Sequence, residues 1–432
     1  MKNLILFKSI ALCLLFQCSL LDPCVYAQHA NTANLEIPEV DDGLPGFGTI
    51  RRYDWFKNLW KQKRSGWAKD VEKDQQALVF LGDSITQGWG NKLGGNFSGA
   101  KVANRGISGD TTRGMLIRLK GDVLDLHPRG VVMLMGTNDL EEKGEPETIV
   151  KNVMLIIGEL KKADPAMPIV WCNVFPSHAS KSRPAEKIKL LNKLVGEAVK
   201  GDPTVRVLDT WTLFANAEGD AQKVEFPDLL HPNKLGYAKW ASALRPVLAT
   251  LGFVETEAAP FTPDEGYVSL FNGKDLTGWA TRAKKTLEIG QVYDGKAVTD
   301  DGRYAAINGR LVVTLPPEGR RIQQFWTSQE FEKDFTLKLE FRATPNADSG
   351  IFIRGKQLQC RDYPLAGPYK ELKAYKPQDW NEVVIKVTGT TAHCTCNGEV
   401  LEAAFMIPAK GPIGLEGDHG QMEYRRIQIK AE

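Results

Sequence analysis

Between residues 77 and 253, short apolar runs alternate with segments whose apolar residues recur at helical spacing. The apolar runs have the length of buried strands and lie at 77–81, 102–104, 131–135, 169–174 and 205–208. Helix-period segments follow Pro146 and Pro184, and another ends at Leu251. Strands that alternate with helices form a parallel sheet, because each helix carries the chain back across the sheet. We therefore predict an α/β three-layer doubly wound parallel sheet.

The chain after residue 265 has a different pattern. Apolar residues alternate along short runs at 335–341, 350–353, 382–387 and 426–429, and Asn-Gly pairs stand at 272–273, 308–309 and 397–398. Asn-Gly is a strong signal for a tight turn, so this region is predicted to be an all-β sandwich. Single cores rarely grow beyond about 250–300 residues. The chain therefore divides into an α/β domain at 28–254, a polar linker with two prolines at 255–265, and a sandwich at 266–432.

Residues 1–27 have the pattern of a secretory signal peptide. Lys2 and Lys8 precede an apolar stretch at 10–21, and Val25 and Ala27 offer small residues at the cleavage positions. The apolar stretch is shorter than the roughly 20 residues of a membrane span. We therefore predict cleavage and export, periplasmic or extracellular, without stable membrane insertion afterwards. The net charge of +2 gives no reason to expect a nucleic acid partner.

Cleavage would leave four cysteines, Cys172, Cys360, Cys394 and Cys396. Export permits disulfides, and a bridge from Cys360 to Cys394 or Cys396 is the pairing that the pattern favours. Buried free thiols are an equally good interpretation.

Ser84 stands where the first predicted strand ends, in the sequence Gly-Asp-Ser-Ile-Thr at 82–86. Far along the chain, Asp228 and His231 supply a carboxylate and an imidazole three residues apart. Ester hydrolysis needs a nucleophilic hydroxyl, a base that takes its proton and an acid that orients the base. The sequence predicts that Ser84, His231 and Asp228 fill these catalytic roles in that order. His178 follows the fourth strand and is a second candidate for the base, but it has no acid at close spacing.

The oxyanion of such a reaction needs fixed hydrogen-bond donors. We predict the backbone N–H groups of Ser84 and Gly109 and the side-chain amide of Asn138, which all follow predicted strands. In doubly wound folds the chemistry gathers at the carboxyl ends of the strands. Taken alone, Asp228 and His231 could also be a helix cap with a surface histidine, but the common sheet edge favours the site.

Four of these blocks, 82–84, Gly109, 136–139 and Asp228 with His231, resemble in order the motifs of the SGNH (GDSL-type) hydrolase family. The stretch 104–112 is similar to its platelet-activating-factor acetylhydrolase-like branch. The resemblance covers about residues 70–252. It implies a flavodoxin-like sheet and Ser–His–Asp hydrolysis of esters, often of short acyl groups, without a metal or another cofactor.

The sandwich resembles a second family. The stretches 270–279, 348–354, 380–381, 411–415 and 418–420 are similar to blocks of the 3-keto-disaccharide hydrolase-like domain family. That resemblance implies a concanavalin-like jelly roll and an association with glycans. Its candidate glycan-site residues are Asp348, Arg354, Tyr369 and His419, each of which could equally belong to a structural turn.

These observations predict an exported serine esterase that removes acetyl or other short acyl groups from glycans, with a sandwich that binds or processes the sugar. One alternative is a lipid or lysophospholipid esterase of the platelet-activating-factor acetylhydrolase type. Another is a glycan-binding protein with little turnover in the first domain. A third is a 3-keto-glycoside hydrolase whose main activity lies in the sandwich.

Overall fold

The computed structural model describes residues 35–314 and 322–432. The predicted signal peptide at 1–27 lies outside these residues. No helix in the described part of the chain combines the length and the apolarity that crossing a membrane requires.

The first domain consists of five short strands connected by helices. The strands are β1 (Leu78–Gly82), β2 (Val102–Gly106), β3 (Gly130–Leu134), β4 (Ile169–Cys172) and β5 (Val205–Leu208). The helices are α1 (Asp54–Lys69), α2 (Ser84–Gly88), α3 (Thr112–Asp122), α4 (Thr137–Glu141), α5 (Pro146–Ala163), α6 (Ala185–Ala198), α7 (Thr210–Phe214) and α8 (Lys234–Thr250).

The five strands form one parallel sheet in the order β2-β1-β3-β4-β5. Alternate residues of β1 enter different cores. Val79 and Leu81 pack with α3, α5 and α6, whereas Leu78 and Phe80 pack with α7 and α8. Both faces of the sheet are therefore covered, which explains why the strands are continuous apolar runs. The predicted three-layer doubly wound fold is confirmed, and the strand bounds differ from those predicted by two residues at most.

Helix α1 packs on the sheet domain as an additional element. Trp60 is fully buried in a small core with Phe56 and Ile107. Trp55, on the same helix, leaves 53% of its surface exposed. Packing therefore accounts for Trp60 but not for Trp55.

The second domain is built from short antiparallel strands. They are β6 (Val268–Ser269), β7 (Trp279–Arg282), β8 (Ile289–Val292), β9 (Tyr304–Ile307), β10 (Arg310–Val313), β11 (Gln324–Thr327), β12 (Phe335–Ala343), β13 (Gly350–Ile353), β14 (Lys356–Gln359), β15 (Asn381–Thr388), β16 (Thr391–Cys396), β17 (Glu399–Met406), β18 (Ile413–Glu416) and β19 (Met422–Ala431). One short helix, α9 (Tyr363–Ala366), follows β14.

These strands form two sheets, as the predicted sandwich requires. One has the order β17-β16-β15-β12-β19-β10-β9 with β6 beside β19, and the other has the order β14-β13-β18-β11-β7-β8. Asn308 and Gly309 connect β9 to β10, and Asn397 and Gly398 connect β16 to β17. All four residues have positive φ, which is the backbone of a type I′ hairpin turn. The arrangement is consistent with a jelly roll.

The four cysteines of the described chain are free and buried. Cys394 and Cys396 point to the same buried face of β16, and both contribute with Cys360 to the sandwich core. The interpretation as buried thiols therefore agrees with the structure, and the alternative bridge is not formed.

Polar contacts join the two domains. Glu255, at the start of the predicted linker, accepts hydrogen bonds from Arg310 at 2.8 Å and Arg342 at 2.9 Å. Arg342 also donates to the buried Glu423 at 2.5 Å. Gln421 donates at 2.9 Å to the carbonyl of Pro246 in α8. The sandwich is thus held against α8 by a partly buried network of ion pairs and hydrogen bonds.

Candidate active site

Ser84 occupies the turn between β1 and α2, at the carboxyl edge of the sheet. The turn is tight, because a Cβ on Gly82 would lie 2.6 Å from the carbonyl oxygen of Leu134. The Asp83 side chain caps α2 by accepting from the backbone N–H of Ile85 at 2.9 Å. Ser84 therefore begins a helix, where a backbone N–H has no partner within the helix and the dipole favours negative charge.

His231 lies over Ser84 on the loop that precedes α8. Its Nε2 is 2.9 Å from the Ser84 Oγ, and its Nδ1 is 2.7 Å from Oδ2 of Asp228. The other carboxylate oxygen of Asp228 accepts from the backbone N–H of His231 at 2.7 Å. Leu229, between them, has a positive φ of 64°, and its carbonyl accepts from Ser177 at 2.8 Å. The loop thus presents the imidazole to the serine and the carboxylate to the imidazole.

The Asp228 carboxylate is stabilised in its charged form. Burial by itself would raise its pKa, but hydrogen bonds from the backbone N–H of His231, its imidazole and the backbone N–H of Leu230 lower the pKa to about 2. Asp228 is therefore ionised at neutral pH and can stabilise a positive charge that develops on His231.

Gly109 lies on the loop that follows β2, and Asn138 lies in α4, the short helix that follows β3. Gly109 has a φ of 85°, which is in the left-handed region that glycine adopts without strain. The Asn138 amide donates from Nδ2 to the carbonyl of Asp110 at 3.0 Å and accepts at Oδ1 from Arg183 at 3.1 Å. These bonds fix the orientation of the amide and connect it to the residue that follows Gly109.

Two arginines around Asn138 were not among the residues predicted from the sequence. Arg183 is buried and also donates to the Thr137 carbonyl at 3.0 Å and to Glu141 at 2.9 Å. Arg51 pairs with Glu141 from the other side and donates to Glu142 at 2.7 Å. A Gly-Thr-Asn-Asp block followed closely by two glutamates was a weak signal for basic partners, but their identity depends on the tertiary structure.

Three aspartates lie buried beneath these loops. Burial raises the pKa of Asp83 to about 6, that of Asp110 to about 7 and that of Asp139 to about 6. Asp139 accepts from the backbone and hydroxyl of Thr112 at 2.9 and 2.6 Å, and Asp110 pairs with Arg118 at 2.7 Å. Asp83 Oδ2 has no hydrogen-bond partner among the described residues.

His178, the second candidate base, lies apart from this arrangement. Its Nδ1 is 2.7 Å from the Ser180 Oγ, and its Nε2 is 3.9 Å from an oxygen of Asp220. The structure brings His231, not His178, to Ser84.

The four candidate glycan-site residues of the sandwich do not converge. Asp348 and His419 are neighbours through backbone hydrogen bonds of 2.8 and 3.1 Å. Arg354 follows the opposite end of β13, where its guanidinium is buried and donates to the carbonyls of four residues: Glu332, Lys333, Gly389 and Pro408. Tyr369 donates to Glu402 at 2.8 Å. Arg354 thus closes loops, and only Asp348 and His419 share a surface.

The described residues contain no group of three or more His, Cys, Asp or Glu side chains arranged to hold a metal ion.

The α/β domain thus brings a serine hydroxyl, an imidazole and an ionised carboxylate into one hydrogen-bonded series at the edge of its parallel sheet. Residues 80–239 match the GDSL-like Lipase/Acylhydrolase family, and residues 266–430 match the 3-keto-alpha-glucoside-1,2-lyase-like domain family. The chain therefore carries a GDSL-like acylhydrolase domain, which is an ester hydrolase domain, followed by a 3-keto-disaccharide hydrolase-like domain.

Part of this chain is also similar to individual proteins and solved structures. Platelet-activating factor acetylhydrolase IB subunit alpha1 of Rattus norvegicus is 29% identical over 199 residues, which are 44% of this chain and 83% of that protein. Subunit alpha2 of Homo sapiens is 27% identical over 44% of this chain and 84% of its own length. The structure of a GDSL-like lipase from Bacteroides thetaiotaomicron VPI-5482 is 24% identical with a TM-score of 0.39, covering 45% of this chain and 97% of that one.

Proposed function

We propose that this protein is an exported serine esterase that removes acetyl or other short acyl groups from glycans. The hydrogen-bonded series from Ser84 through His231 to Asp228, with distances of 2.9 and 2.7 Å, carries the catalytic part of this proposal. The glycan class is supported by the 3-keto-alpha-glucoside-1,2-lyase-like domain on the same chain.

In this mechanism His231 Nε2 takes the proton of the Ser84 hydroxyl as the oxygen attacks the acyl carbon. Asp228 holds Nδ1 protonated and stabilises the imidazolium that forms. His231 then protonates the departing sugar oxygen, which leaves an acyl group on Ser84. A water molecule, deprotonated by His231, releases the acid and restores the serine.

The negative charge on the acyl oxygen would be bound by the backbone N–H groups of Ser84 and Gly109 and by Nδ2 of Asn138. Ser84 contributes the dipole of α2 as well. The bonds from Asn138 to Asp110 and from Arg183 to Asn138 hold the amide in place before the reaction begins. Preorganised donors of this kind need no rearrangement as charge develops.

Release of acetate from acetylated xylan, measured for the mature protein and its Ser84→Ala variant, tests the proposal. We expect the substitution to lower kcat by about 10⁴-fold or more, because the nucleophile is lost. Ser242→Ala is the control, since Ser242 is an exposed serine whose hydroxyl bonds to its own helix at Ala238. Acetate release that persists in Ser84→Ala would contradict the assignment.

The relatives favour a second candidate, because they are named platelet-activating factor acetylhydrolase subunits. A choline phospholipid that carries an acetyl ester is therefore the competing substrate. Ser84-dependent release of acetate from this lipid, without release from any acetylated glycan, would replace the carbohydrate proposal and leave the catalytic assignment intact.

A further inference from the structure

Two aromatic side chains are exposed where α1 begins. Tyr53 and Trp55 each leave 53% of their surface exposed. Their rings are parallel within 10°, and the ring centroids are 6.4 Å apart. We call this pair the aromatic platform. It lies before residue 80, where the match to the GDSL-like family begins.

The platform borders the candidate oxyanion site. A Cβ on Gly109 would lie 2.6 Å from Cη2 of the Trp55 ring and 3.1 Å from a terminal nitrogen of Arg51. The edge of the Trp55 ring therefore touches the turn that presents the backbone N–H of Gly109, while much of the ring surface remains open to solvent. A substrate whose acyl oxygen is bound at Gly109 would therefore lie close to this ring.

Two carboxylates beside the platform, Glu141 and Glu142, pair with two guanidinium groups, those of Arg51 and Arg183. Arg51 binds Glu141 and Glu142, and the Tyr53 hydroxyl is 3.5 Å from Oε1 of Glu142. The guanidinium of Arg51 is buried and lies next to the Gly109 turn. A quaternary ammonium group is attracted to aromatic faces, but the paired groups beside this platform add no net negative charge that would strengthen such binding.

We propose that the aromatic platform is a subsite for the sugar ring of the acylated substrate, so that Trp55 helps to select glycan esters. This inference rests on the proposed function. The C–H groups of a pyranose face are apolar enough to stack on an indole ring, whose π face carries partial negative charge. The sugar hydroxyls at the ring's edge can meet the Tyr53 hydroxyl and the polar groups of Arg51 and Glu142. A short acyl group offers little surface for recognition, so the sugar supplies most of the available binding energy.

The test compares Trp55→Ala with the wild type on acetylated xylo-oligosaccharides and on p-nitrophenyl acetate. The quantity is the ratio of kcat/KM for the oligosaccharide to kcat/KM for the aryl ester, which cancels any general loss of active protein. We expect this ratio to fall by about tenfold in Trp55→Ala. Trp55→Phe, which keeps an aromatic face, should restore most of it.

Phe47→Ala is the matched control, because Phe47 is also 53% exposed but lies against Lys151. We expect it to leave the ratio at the wild-type value. An unchanged ratio in Trp55→Ala, with Ser84-dependent oligosaccharide hydrolysis in the wild type, would overturn the subsite and spare the proposed function.

Two further outcomes separate the proposals. If wild type releases no acetate from any oligosaccharide, the carbohydrate function fails and the sugar subsite fails with it. If Trp55→Ala selectively loses activity on an acetylated choline phospholipid instead, the platform recognises the lipid headgroup and the sugar assignment is wrong.

Discussion

The two domains differ in whether their candidate polar residues come together in space. In the first, Ser84 and His231 are separated by 147 positions but meet at 2.9 Å. In the sandwich, Asp348 and Arg354 are close in sequence, yet they flank opposite ends of β13. A parallel sheet brings the carboxyl ends of all its strands to one edge, so loops after different strands converge. Antiparallel strands alternate in direction, so consecutive loops lie at opposite ends of the sheet.

Asn138→Ala has the largest expected effect. It would test whether residues that follow different strands act together at the edge of the parallel sheet. We expect kcat to fall by about 10²–10³-fold, because the proposed oxyanion donor is lost. Asn192→Ala is the matched control, since the Asn192 amide is buried and bonds to Val174 at both of its polar atoms. Steady-state kinetics on an aryl acetate and thermal unfolding would be measured for both. A kcat near the wild-type value in Asn138→Ala would remove this residue from the proposed oxyanion site.

Arg354→Ala would test whether Arg354 has a structural role in the sandwich. Its side chain donates to four carbonyls and is 1% exposed. We expect a loss of about 2–4 kcal/mol in the free energy of unfolding, because the loop carbonyls would be left buried without donors. Ester hydrolysis below the unfolding transition should not change.

Tyr369→Phe is the variant to compare with Arg354→Ala in stability. It removes only one hydroxyl, which donates to the partly exposed Glu402. It should cost about 1 kcal/mol or less. If Arg354→Ala instead unfolded like the wild type and lost binding to a glycan, Arg354 would be a ligand residue as the sequence suggested.

A buried carboxylate in each domain should make the stability of the protein depend on pH. Asp83 has a pKa raised by burial to about 6, so the folded state holds this proton more tightly than the unfolded state does. Its contribution to stability is complete below about pH 4 and is lost as the pH rises through 6. Asp83→Asn should therefore raise the free energy of unfolding at pH 8 by at most about 3 kcal/mol and change it little at pH 4.

Asp362 is a buried aspartate of the sandwich. We expect its replacement by Asn to change the free energy of unfolding in the opposite direction. Burial also raises its pKa to about 6, but its oxygens accept from the backbone of Asn346, from Gln378 and from Tyr375. Asp362→Asn places an amide donor against these donors and should destabilise the protein at pH 8 by about 1–3 kcal/mol. Equal effects of the two substitutions in urea unfolding at pH 4 and pH 8 would contradict this distinction.

The sequence determined the two architectures. Period-two and helical spacings reflect which side chains are buried, and burial acts on every residue of a strand or helix. The five apolar runs therefore became β1–β5, and two of the Asn-Gly pairs became hairpin turns with positive φ. Ser84, Asp228 and His231 could be named as candidates because the edge of a parallel sheet is implied by the order of its elements.

Tertiary structure decided what stands around that edge. The pairing of Arg183 with Asn138 and of Arg51 with Glu141 joins elements far apart in sequence, and no local spacing encodes it. Trp55 and Trp60 lie on one helix, but only packing determined that Trp60 is buried and Trp55 is open beside Gly109. Local patterns specify which faces are buried, whereas the partners of a charged or exposed side chain depend on how the elements come together.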